Sequence, residues 1–287
     1  MDIISDPGVL RERCRDWLRQ GTVTGLVPTM GYLHAGHESL LRLARERAER
    51  VVASVFVNPT QFGPGEDLAA YPRDLDRDAA LAERAGVDVL FTPAPEAMYA
   101  PGAATWVEVP ALARHLCGAS RPTHFRGVCT IVAKLFLLAQ PTLAVFGQKD
   151  WQQLAILRRM VADLGFPVEI VGAPLVREAD GLALSSRNVY LTPQERAEAV
   201  HINRGLEFAA GLAASGERDA GRILSMTRTY FESHLPSGTI DYLECVDPER
   251  IEPMARLTGP ALFAAAVKFS RARLIDNRLV DVTQATR

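Results

Sequence analysis

The chain has 287 residues, 48% hydrophobic and 23% charged, and its 32 basic and 34 acidic side chains leave a net charge of −2. This composition is that of an ordinary globular protein. It argues against a nucleic-acid binder, which carries a basic excess, and no apolar run reaches the ~18 residues of a membrane span. Cys14, Cys117, Cys129 and Cys245 lie far apart with no CxxC pair, against a disulfide framework or a structural zinc module.

The N-terminus lacks a charged-then-apolar signal pattern, so a cytoplasmic protein is expected, with Arg11, Arg13 and Arg15 on a solvated helix face. From there to about residue 175 two periods alternate. Residues 22–29 (TVTGLVPT) read as a buried strand, and 37–51 as a helix with Leu40, Leu41, Ala44, Ala48 and Val51 on one stripe. Residues 51–58 read as a strand, 74–86 as a helix ending at a glycine, and 87–93 as a strand. The pattern repeats as a helix over 129–140, a strand over 143–147, a helix over 150–165 and a strand over 168–176. Short apolar strands alternating with amphipathic helices predict an α/β fold, a parallel sheet covered on both faces. Ligands bind such sheets at the carboxyl ends of the strands. After about residue 188 the pattern changes. Thr192, Pro193 and Glu195 form a capping box with proline at the first helical position. Helices over 193–214 and 217–235, then strands over 239–247 and 261–269, predict a small α+β domain. The expected division is a Rossmann-like domain over 1–175 and a smaller α+β lid domain over 176–287.

The strongest local signal is PTMGYLHAGH, residues 28–37. A strand ends, Gly31 and Gly36 loosen the backbone, and a helix opens near His37. A helix N-terminus offers free N–H groups and partial positive charge, which suits phosphate. His34 and His37, three apart, can face one way across its first turn and donate hydrogen bonds to phosphoryl oxygens. In FVNPTQF (56–62), Asn58 and Gln61 follow a strand end, where amides can read hydroxyl and carboxylate groups without adding charge. Asn58 alone fits an Asn-Pro turn equally well. Lys149 sits at the positive end of a helix dipole, a conflict that an anionic ligand removes, whereas Asp150 and Gln153 also fit a helix cap. Ser185, Ser186 and Arg187 in LALSSRN read by themselves as an ordinary serine-rich surface turn, although hydroxyls and a guanidinium on a mobile loop can also close over a triphosphate. Asp74, Asp76 and Asp78 could supply oxygen to magnesium, or simply begin a helix with acids. His124 and Arg126 fall in a loop where they either line the site or, for the histidine, sit buried with a satisfied hydrogen bond.

PTMGYLHAGH resembles the HxGH signature of the nucleotidyltransferase superfamily. Together with FVNPTQF, YPRDLDRD (71–78), THFRGVCTIVAKLF (123–136), FGQKDWQQL (146–154), VREADGLALSSRN (176–188), DYLECVDPE (241–249) and RLIDN (273–277), it is similar to the pantoate–β-alanine ligase family over almost the whole chain. The resemblance implies an ATP site formed by Met30, Gly31, Tyr32, Leu33, His34, Ala35, Gly36 and His37. It adds Gly147, Gln148, Lys149 and Asp150, Val176 through its backbone, and Leu184, Ser185, Ser186 and Arg187. Leu184 departs from the methionine frequent there, a near-isosteric change. By the same resemblance Gln61 contacts pantoate and β-alanine, Gln153 contacts pantoate, and the protein is a homodimer.

The reaction so implied is ATP-dependent condensation of (R)-pantoate with β-alanine through pantoyl adenylate, releasing pyrophosphate and AMP. His34, His37, Lys149, Ser186 and Arg187 would serve the phosphates. His37 would be the general acid, since imidazole titrates near neutrality. Magnesium would accompany ATP, with Asp76 and Asp78 as candidate ligands. Another adenylyltransferase, or a nucleotide sensor without turnover, are the competing readings. A zinc hydrolase using His34, His37 and His124 is weaker, because HxxH lacks the glutamate of HExxH.

Overall fold

A computed structural model describes residues 1–283. Among these, the elements in chain order are β1 (Asp2–Ile4), α1 (Pro7–Arg19), β2 (Thr24–Thr29), α2 (Ala35–Arg47), β3 (Arg50–Val55), α3 (Leu75–Arg84), β4 (Val89–Phe91), α4 (Pro95–Met98), α5 (Leu116–Ser120), α6 (His124–Ala139), β5 (Leu143–Gly147), α7 (Trp151–Leu164), β6 (Glu169–Ala173), α8 (Pro193–Ala214), α9 (Ala220–His234), β7 (Thr239–Val246), β8 (Pro260–Lys268) and β9 (Arg273–Asp281). The chain forms two compact units. The first takes Met1–Val109, Thr123–Gln148 and Ile156–Pro174; the second takes Pro110–Pro122, Lys149–Ala155 and the described residues from Leu175 onward.

In the first unit six parallel strands run in the order β1-β4-β3-β2-β5-β6. Successive side chains of a strand face opposite sides of the sheet. Leu26 and Val27 of β2 are both fully buried, so both faces are covered. Val27 joins Leu41 and Ala44 of α2, Leu81 of α3 and Val145 of β5 in one apolar cluster. Leu26 points away from that cluster, and α6 packs against β2 and α1. Strand order reverses between β2 and β5, which is where an open parallel sheet leaves a crevice at its carboxyl end.

In the second unit β7, β8 and β9 form an antiparallel sheet. Leu206 of α8 and Phe231 of α9 pack into one core with Phe263, Ala265 and Val267 of β8. The Thr192–Glu195 capping box forms as read, each side chain bonding the other's backbone N–H. Two readings are corrected. The helix read from residue 129 begins at His124, so His124 and Arg126 lie in its first turn and not in a loop. The C-terminal sheet has a third strand, β9. Its sequence, RLIDNRLVD, hides the strand because the inward position Asp276 is an acid, buried to 4% exposure against the guanidinium of Arg177.

Candidate active site

The register of β2 with β5 pairs Gly25 with Leu143 and Leu26 with Ala144; carried forward, it sets Thr29 level with Gly147. Both strands therefore end together at the reversal point, and both are followed at once by predicted nucleotide residues. After Thr29 the chain needs a sharp turn. Gly31 has φ +85° and Tyr32 has φ +49°, conformations that cost little for glycine and more for tyrosine. An added Cβ on Gly31 would lie 2.8 Å from Val55 Cγ1 and 3.0 Å from Asp78 Oδ2. The turn is held from below by Asp78, whose oxygens accept the N–H groups of Tyr32 at 2.7 Å and Leu33 at 2.6 Å. Successive N–H groups in such a turn form a concavity for an anion, and here the anion is internal. Burial pushes the Asp78 carboxyl above its ordinary value, against the pull of the Leu33 and Tyr32 N–H groups.

The turn delivers His34 as the N-cap of α2. Nδ1 of His34 accepts the Gly36 N–H at 3.1 Å, and Nδ1 of His37 accepts the His34 N–H at 3.3 Å. This is a capping box built from two imidazoles instead of serine and glutamate. A backbone N–H can only donate, so each Nδ1 is an acceptor and each neutral ring carries its proton on Nε2. The rings lie 4.0 Å apart at 36°. Beside them Gln61 is 8% exposed and Asn58 only 1%. Gln61 Nε2 lies 3.1 Å from Met30 Sδ, which joins the histidine turn to the Pro59–Gln61 turn. His124 Nδ1 contacts the Gln61 carbonyl at 2.9 Å. Arg126 instead covers the Trp106 ring and pairs with Glu108. Gln148 Nε2 reaches the Gly172 carbonyl at 3.4 Å.

The second unit holds the other predicted residues. The backbone carbonyl of Lys149 accepts from Asn277 Nδ2 at 2.8 Å, and its ammonium lies 3.9 Å from Asp150. Gln153 is half-buried in the first turn of α7. Its neighbour Gln152 ties down the 110–122 segment, bonding Leu112 O, His115 O and Cys117 N. Residues 176–184 fold back on themselves, with the Leu184 N–H donating to Val176 O at 3.0 Å, so the two ends of the predicted adenine and phosphate segment sit side by side. Arg177 at its base is gripped by both oxygens of Asp276. The segment read as a loop is a 3-10 turn over Ser186–Tyr190, and the Ser185 hydroxyl is its N-cap, accepting the Arg187 N–H at 3.2 Å.

Asp78 does not fit a magnesium ligand, because its oxygens already face two backbone donors. Asp76 lies exposed in the first turn of α3. Among the described residues no three His, Cys, Asp or Glu side chains gather as a metal site. Sequence reasoning missed Tyr99, whose hydroxyl reaches Asn58 and Thr60. It lies far past Gln61 in the chain and carries no motif of its own.

The family model for pantoate-beta-alanine ligase matches residues 2–279. The chain belongs to that family. It is 72% identical over 279 residues to the pantothenate synthetase of Solidesulfovibrio magneticus, covering 97% of this chain and 98% of that one. Its fold is similar to the crystal structure of pantothenate synthetase from Thermus thermophilus, with a TM-score of 0.91, 49% identity, and 98% and 99% of the two chains covered. It is also similar to the pantoate-beta-alanine ligase of Francisella tularensis, complexed with beta-gamma ATP and beta-alanine, with a TM-score of 0.79, 30% identity and 97% of each chain covered. Family membership excludes the zinc hydrolase reading, and no helix among the described residues is long and apolar enough to cross a membrane.

Proposed function

We propose that this chain joins (R)-pantoate to β-alanine in two steps at the expense of ATP. A pantoate carboxylate oxygen attacks the α-phosphorus, forming pantoyl adenylate and expelling pyrophosphate. The amine of β-alanine then attacks the acyl carbon, forming the amide and releasing AMP and a proton. A carboxylate is a poor acyl donor until its oxygen belongs to a good leaving group, so the protein's work is to position the reactants and neutralise charge. The observation that carries this reading is the imidazole capping box at the end of β2. Two Nε2–H donors stand at a helix N-terminus, where negative charge on a phosphate is already favoured.

In this reading Met30 to His37 and Gly147 to Asp150 bind ATP, Val176 meets adenine through its backbone, and Leu184 to Arg187 meet the phosphates. Lys149, Ser186 and Arg187 share the charge with His34 and His37. Because Nδ1 of His37 is occupied by a backbone N–H, the general-acid role expected of His37 becomes a hydrogen bond from Nε2–H to the leaving pyrophosphate. Gln61 contacts pantoate and β-alanine, and Gln153 contacts pantoate. Magnesium supplies charge neutralisation as an ion brought by the triphosphate. A homodimer working in the cytoplasm completes the proposal, supported by the family resemblance.

Pyrophosphate release tests it. Protein, Mg·ATP and pantoate should give a single burst that becomes steady turnover when β-alanine is added. His37→Ala should lower the burst rate by about 100-fold or more. Pyrophosphate release independent of pantoate would instead identify another adenylyltransferase, and no release at all a nucleotide sensor.

A further inference from the structure

Gln61 carries an amide whose two ends have opposite chemistry, and which end meets a substrate decides what is recognised. The orientation can be read outward from backbone groups whose polarity is not in question. The Gly127 carbonyl can only accept, and it lies 3.1 Å from Asn58 Nδ2; the Thr60 N–H can only donate, and it lies 3.4 Å from Asn58 Oδ1. The Asn58 amide therefore has one permitted orientation. Its oxygen also receives the Thr60 hydroxyl at 2.9 Å and the Tyr99 hydroxyl at 2.9 Å. Burial pushes the Tyr99 phenol above its ordinary value near 10, so the hydroxyl keeps the proton it donates. Asn58 Nδ2 makes a second donation to Gln61 Oε1 at 3.2 Å. Reversing the Gln61 amide would set two NH2 groups against each other. Gln61 is thus held with its oxygen toward Asn58 and its nitrogen toward Met30 and the histidine turn.

We propose that Tyr99 is a positioning residue for the ligase reaction: through Asn58 it locks Gln61 with the amide nitrogen presented, making this subsite a reader of oxygen acceptors on the pantoate. The chain of donation runs one way, from phenol to Asn58 to Gln61 to the substrate's carboxylate or hydroxyl oxygen. Asn58, nearly sealed from solvent, acts on Gln61 and not on the substrate. The inference rests on the reading of Gln61 as a pantoate contact and adds what sets its polarity.

Steady-state kinetics on Tyr99→Phe test it. That change keeps the ring and its packing against Lys134 and removes only the hydroxyl. The expected result is a KM for pantoate raised about three- to tenfold, with the KM for ATP and kcat within about twofold and an unchanged melting temperature. Adding Thr60→Val leaves the Asn58 oxygen with the long Thr60 N–H alone, and the pantoate KM should rise further. Gln61→Ala is the control. If Gln61→Ala impairs pantoate use but Tyr99→Phe and the double variant match the wild type, the positioning role is overturned while the Gln61 contact stands. If Gln61→Ala leaves the pantoate KM unchanged, the contact fails and the inference with it. A general loss, with all constants and the melting temperature falling together, marks Tyr99 as a packing residue and also overturns the proposal.

Discussion

Asp78 shows how one side chain can set a site that it does not enter. Its carboxylate occupies two backbone donors and so stabilises the left-handed Gly31–Tyr32 turn from which His34 emerges. Asp78→Asn keeps the shape but turns one acceptor into an NH2 group facing a backbone N–H. A buried unmatched donor of this kind costs about 1–3 kcal/mol. We expect a lower melting temperature and an adenylation rate about tenfold down, read by thermal unfolding and single-turnover pyrophosphate release. Changes confined to magnesium dependence would return Asp78 to the role of metal ligand. The histidines make a second residue-scale prediction. Because both Nδ1 atoms accept backbone protons, nitrogen NMR of the neutral protein should show His34 and His37 as Nε2–H tautomers. The spacing of His34 and His37 at a strand-to-helix turn was enough to suggest a phosphate site. Their dual use as a helix cap was not legible, because imidazole rarely serves that purpose and only the folded turn shows which nitrogen points inward.

At the scale of elements, α6 can approach the Pro59–Gln61 turn only because it carries Gly127. A Cβ there would lie 2.5 Å from the Thr60 carbonyl oxygen and 2.7 Å from Gln61 Cα, and backbone atoms cannot step aside as a side chain can. Gly127→Ala should cost about 1–3 kcal/mol of stability through overpacking and raise the KM for pantoate, both measurable on the purified variant. β2 to β6 and the helices α2, α3 and α7 were readable because each is a continuous apolar run or a one-sided stripe, whereas β1, three residues long with only Ile4 buried, was not. β9 was not, since its buried Asp276 and flanking charges break the alternation, and their reason lies far away in sequence at Arg177. Tyr99 illustrates the same limit at the site: its role depends on a hydroxyl meeting an amide 41 positions earlier, a pairing that no local pattern encodes.

At the scale of the whole molecule, the second unit is assembled from three separate stretches of chain. Asp241 of β7 is one of its ties, bonding Lys268 of β8, Arg273 of β9 and Ser120 of α5. Burial by itself raises that carboxyl, but Lys268, Arg273 and Ser120 outweigh it and hold it down to about 2. The folded carboxyl thus ionises more readily than the ordinary one, so its contribution to stability is present above about pH 4 and is lost as pH falls from about 4 to 2. Asp241→Asn should be less stable than the wild type near neutrality, and the gap should close across that window in denaturant titrations. The discontinuity has a consequence for synthesis on the ribosome. The first unit has all its pieces once residue 174 has emerged, whereas the 110–122 and 149–155 segments belong to a unit whose sheet is still untranslated. At ~5–20 residues per second they wait roughly ten seconds. Throughout that interval Gln152 can hold the two segments to each other, but Ser120 lacks Asp241 and Trp151 lacks the Pro248 carbonyl. The nascent chain then carries a finished sheet together with two stretches whose remaining partners are unmade, which a chaperone could recognise.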